Sequence, residues 1–61
     1  MNKVLRITLR GELQVFVDED LDVCIREANR LNAEHGYTNG VCVVELDDGR
    51  RMTAADCKAA A

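Results

Sequence analysis

The sequence predicts one α+β domain, residues 1–61, of order ββαββ: a small antiparallel sheet with one amphipathic helix on one face and a short C-terminal helical turn. Three observations carry that expectation. Two short runs of alternating apolar and polar residues open the chain. An apolar stripe at helical spacing occupies its middle. Two further β-like runs, split by a tight-turn signal, follow it.

Residues 3–9 alternate, with Leu5, Ile7 and Leu9 on one face and Val4, Arg6 and Thr8 on the other. Arg10-Gly11-Glu12 is a turn signal with Gly at its centre. Leu13, Val15 and Val17 then alternate with Gln14 and Phe16, so the two runs read as a β-hairpin. Asp18-Glu19-Asp20 opens a helix, because Asp is a strong N-cap and acids suit the positive end of the helix dipole. Leu21, Cys24, Ile25, Ala28 and Leu31 form its apolar stripe, and Gly36 supplies the left-handed residue that ends it. Tyr37-Thr38-Asn39-Gly40 is a loop. Val41–Leu46 is a third strand, with Cys42, Val44 and Leu46 opposing Val41, Val43 and Glu45. Asp47-Asp48-Gly49-Arg50 signals a tight turn into a short fourth strand, Arg51-Met52-Thr53. Thr53 can cap a last helix from Ala54 to about Ala60, with Asp56 closing the cap. Placing the third strand beside the first makes the sheet wholly antiparallel, in order 2-1-3-4; placing it beside the second needs a parallel right-handed crossover. The first arrangement is expected.

One helix covers one face. Leu5, Ile7, Leu9, Leu13, Val15, Val17, Cys42, Val44 and Leu46 are expected to meet the helix stripe there. The opposite face is left with Val4, Phe16, Val41 and Val43 among Arg6, Thr8, Gln14 and Glu45. An open apolar patch of that kind tends to mark an interface. Val4, Arg6, Phe16, Val41, Val43 and Glu45 are therefore the expected partner-binding residues. Two plainer readings compete: the C-terminal segment folds back over the patch, or β-branched residues simply suit strands. A homodimer contact would also relieve the small core that a chain this short can build.

Composition excludes several functions. The chain has no Ser, which removes every serine-nucleophile mechanism, and no Trp or Pro. One Tyr and one Phe offer no aromatic platform for stacking bases. The net charge of −3 is not the basic footprint of a nucleic-acid binder. Three widely spaced cysteines, Cys24, Cys42 and Cys57, do not make a disulfide framework and fit a reducing compartment. With no apolar N-terminal run and no long apolar segment, a cytoplasmic location without signal peptide or membrane contact is expected.

Nothing in the pattern assembles a reaction centre, so no enzyme, metal or cofactor is expected. Cys24 and Cys42 fall on core positions, and His35 lies away from both at the helix end. Cys57 is expected to be exposed near the chain end. The acids Asp18, Glu19, Asp20 and Asp22 lack the Gly and distal Glu of a calcium loop. They read first as helix capping and second as an acidic interaction surface. Arg6, Arg10, Arg50 and Arg51 read as a solvated face, or as phosphate contacts should a dimer double them. The four glycines are isolated turn residues, so no phosphate-cradling loop exists.

The stretch from His35 to Arg50 is similar to the helix-to-hairpin segment of many tiny phage and mobile-element proteins. The ββαββ outline resembles certain small anti-CRISPR proteins. That resemblance implies a phage-type inhibitor that binds and occludes a host defence complex, and it transfers no functional residue. The expected function is thus a non-enzymatic protein-interaction module of this inhibitor kind. The alternative is a small nucleic-acid-binding regulator acting as a homodimer through its surface arginines, with direct binding by a monomer not expected.

Overall fold

The opening alternation becomes a hairpin in the computed structural model, which describes residues 1–61. Strands β1 (Asn2–Thr8) and β2 (Gly11–Asp18) pair antiparallel across a turn at Leu9 and Arg10. The turn lies earlier than the Gly signal suggested; Gly11 already pairs with Thr8. Helix α1 (Leu21–His35) follows, capped by Asp20, whose carboxylate accepts from the Asp22 N–H at 3.0 Å. It ends at Gly36, where φ of +61° suits a residue without Cβ. Strand β3 (Val41–Glu45) returns beside β1, and the two-residue β4 (Arg51–Met52) pairs with β3. The order is β2-β1-β3-β4, antiparallel throughout, as predicted. Helix α2 (Ala54–Ala60) closes the chain. The Thr53 hydroxyl accepts from the Asp56 N–H and the Asp56 carboxylate from the Thr53 N–H, a complete capping box.

The core is Val4, Cys24, Ile25, Ala28, Cys42, Val44 and Cys57, with Val15, Phe16, Leu21, Leu31 and Met52 packed around it. Fully burying an aliphatic side chain of this size contributes about 1.5–3 kcal/mol. Helix α2 lies beside α1 on the same side of the sheet and packs on β3 and β4. It does not fold back over the other face. Cys57 is consequently buried in the core, not exposed as the sequence suggested.

The face assignment of the hairpin needs correcting. Val4 pairs with Val44 and with Phe16, so Val4 and Phe16 lie under the helices and not on the open face. Arg6 pairs with Cys42 and shares that inner side. Leu5 and Ile7 pair with Val43 and Val41 on the outer side. Alternation favours Leu5 and Ile7 for the core, but Val4 and Leu5 are adjacent apolar residues, and the pairing with β3 turns Val4 inward instead. In β2 the phase changes within the strand. Val4 pairs with Phe16 but Leu5 pairs with Gln14, leaving Val15 as the extra residue of a bulge. The bulge turns Phe16 inward and Val17 outward. Leu9 and Leu13, expected in the core, are exposed, because the helices do not reach the hairpin tip.

Candidate protein-interaction surface

The outer face of the sheet carries Leu5, Ile7, Val17, Val41 and Val43, with Lys3, Glu12, Gln14, Glu45 and Arg51. Three of the expected partner residues, Val41, Val43 and Glu45, belong to it; Val4, Arg6 and Phe16 do not. No helix covers this face, yet Leu5 and Val43 at its centre are each only 7% exposed. An ion-pair strap explains this. Arg51 on β4 donates to both carboxylate oxygens of Glu12 on β2, at 2.6 and 2.7 Å, and to Glu45 at 3.2 Å. Strands β4 and β2 are opposite edges of the sheet, so this bond passes over β3 and β1. The apolar stem of Arg51 supplies cover while its head stays in water. The Arg51 hydrogen bonds hold the Glu12 carboxyl below its ordinary value of 4.5. Glu12 and Glu45 in turn push the guanidinium further up.

Three of the exposed large apolar groups lie on the hairpin and the α1–β3 loop. Leu9 is fully exposed, Leu13 is 61% exposed and Tyr37 64% exposed. Leu9 and Tyr37 flank an open groove of about 780 Å³ between the hairpin tip and the α1–β3 loop. Ile7, Val41, Arg10 and Asn39 are among its other lining residues. The loop is pressed against β1 at Gly40, where a Cβ would lie 2.6 Å from the Ile7 carbonyl oxygen and φ is +108°. Only Gly fits there.

The acidic cluster resolves into local capping. The Asp18 carboxylate accepts from the Asp20 N–H at 2.8 Å, and Asp20 caps α1, while Glu19 and Asp22 are exposed beside them. No cluster of His, Cys, Asp and Glu side chains is arranged to hold a metal ion. The arginines separate as well. Arg50 binds Asp48 and Arg51 binds Glu12 and Glu45, so their charge is already neutralised within the chain. Arg6 and Arg10 keep no carboxylate partner, but Arg6 is half-buried on the inner side of the sheet. Burial pushes the Cys24 and Cys57 thiols up, away from the thiolate form a nucleophile needs. No helix is long and apolar enough to cross a membrane.

Asn32 is the residue sequence reasoning missed. Its side chain accepts from the Cys42 N–H at 2.9 Å and donates to the Cys42 carbonyl at 3.0 Å. It stands in for a neighbouring strand where β4 is too short to pair. Asn29 similarly donates to the Cys57 carbonyl at 2.9 Å, tying α2 to α1. A signal existed: Asn29 and Asn32 lie four residues after Ile25 and Ala28, on the buried side of the helix, where an amide needs a partner.

The Asn32 bonds also fix the phase of the ladders. Cys42 turns its backbone groups away from β1, so Val41, Val43 and Glu45 turn theirs toward it. In β1 the odd residues therefore face β3 and the even residues face β2. Their β2 partners Gly11, Leu13 and Phe16 face inward. Glu12 and Gln14 are left with backbone N–H and C=O groups directed outward, at a free edge.

Comparison with known protein families, curated proteins and solved structures finds no match.

Proposed function

We propose that the chain is a non-enzymatic protein-interaction module that binds and occludes the working surface of another protein. The narrower form of this proposal is an inhibitor of a host defence complex, as the anti-CRISPR outline suggests. The observation that supports it is the placing of the exposed Leu9 and Tyr37 at the hairpin end, around an open groove. Exposed apolar groups lying together tend to mark an interface, and tyrosine is a frequent anchor of one. Asp18, Asp20 and Asp56 are engaged in capping, and Arg30, Arg50 and Arg51 in ion pairs, which favours this reading over phosphate binding.

The test is quantitative affinity capture with the folded chain and its Leu9→Asp and Tyr37→Asp variants. Lys58→Glu, an exposed change on α2, serves as the control. A genuine partner is captured by the parent and by Lys58→Glu and lost with the other two. Identical capture by all four chains would remove the hairpin end from consideration.

A further inference from the structure

We propose that the free edge of β2 pairs with the β2 edge of a second copy of this chain, antiparallel, about a two-fold axis at Leu13. The inference deepens the interaction reading by naming one partner, and it rests on different residues from the groove. Unpaired strand edges invite pairing, and proteins normally block them with Pro, Lys or a covering element. Segment Gly11–Gln14 has none of these. Its one charged side chain, Glu12, is drawn across the outer face to Arg51.

The outward backbone groups of Glu12 and Gln14 flank Leu13. With the two-fold at Leu13, Glu12 lies opposite the partner's Gln14, and Gln14 opposite the partner's Glu12. Each pair can exchange both backbone hydrogen bonds. On the outer face each Glu12 then lies opposite the uncharged Gln14 of the partner, so no like charges meet. On the inner face the two Leu13 side chains meet, their Cα atoms about 4.5 Å apart as in other non-hydrogen-bonded pairs. That contact removes from water a leucine that is 61% exposed in the single chain.

Neighbouring registers are worse. A shift toward the turn sets Glu12 against the partner's Glu12, a like-charge pair. A shift toward the bulge sets Glu12 against Phe16, whose backbone groups face Val4. The bulge at Val15 thus limits the ladder to one short self-complementary segment. The contact is small, so its affinity belongs with weak, transient interfaces.

Sedimentation of the chain from micromolar to near-millimolar concentration tests the idea. The average mass should climb toward twice the monomer value, and Leu13→Asp should abolish the climb while the melting temperature is kept. Leu13→Cys should also cross-link into a disulfide dimer under mild oxidation, since the expected spacing suits a disulfide. Leu9→Cys is the control: Leu9 is more exposed, but the two-fold sets its copies far apart. The three native thiols are buried and do not compete. A constant monomer mass, or cross-linking of Leu9→Cys as fast as Leu13→Cys, would overturn the pairing. Either result leaves the hairpin-end reading to its own capture experiment.

Discussion

At the β3–β4 edge of the sheet, a helix closes what the strands leave open; at the β2 edge, nothing does. Strand β4 is two residues long, and beyond it the Cys42 backbone is completed by the Asn32 amide, with α2 packed alongside. Strand β2 is eight residues long and presents Glu12 and Gln14 to solvent without cover. The difference lies in where the helices fall. Helix α1 packs on β1, β2 and β3 and α2 on β3 and β4, and the amide aimed at an open strand backbone, Asn32, lies on the β3 side. In a small chain, closure of one edge and access at the other follow from one packing decision.

The most severe way to break this asymmetry is to open the closed edge. Asn32→Leu leaves the N–H and C=O of Cys42 buried without partners, at about 1–3 kcal/mol each. Stability should fall by about 2–5 kcal/mol, most of what so small a domain has, as read by urea unfolding. Gly40→Ala comes next. It forces a Cβ against the Ile7 carbonyl at a left-handed position. A cost of about 1–3 kcal/mol is expected in the same measurement.

Arg51 joins the two edges across the outer face, so Arg51→Met probes the link between them. It should lower the melting temperature less than either change above, because exposed ion pairs contribute little. Its clearer mark is on pH dependence. The folded Glu12 carboxyl is more acidic than the unfolded one, so its contribution is present above the unfolded value near 4.5. That contribution is lost as pH falls through the lower folded value. The parent should therefore lose more stability than Arg51→Met as pH drops below about 4.5, and Glu12→Gln should behave like Arg51→Met. The smallest effect sharpens the open edge. Leu13→Lys should change stability by no more than about 0.5 kcal/mol while placing a blocking charge on the edge.

Much of this was legible in the residues. The helix from Leu21 to His35, the Asp20 and Gly36 caps and the Thr53–Asp56 capping box follow from local signals, and the 2-1-3-4 order was the preferred of two arrangements. What sequence reasoning lost was the phase of β1 and β2. Val4-Leu5 and Phe16-Val17 are adjacent apolar pairs, so either member can face the core. The choice depends on a bulge at Val15, which no turn residue announces. The expected patch was thus split: Val4 and Phe16 lie beneath the helices, Val43 is buried near the Arg51 strap, and Val41 lines the groove.

Helix periodicity, caps and turn chemistry act within a few residues, and the sequence by itself determined them. Contacts between residues far apart in the chain were decided only in the folded molecule: Arg51 with Glu12, Asn32 with Cys42, Cys57 in the core. These depend on where strands and helices come to lie together. The uncovered β2 edge belongs to this second group, because an edge is free only when the other elements have been placed elsewhere.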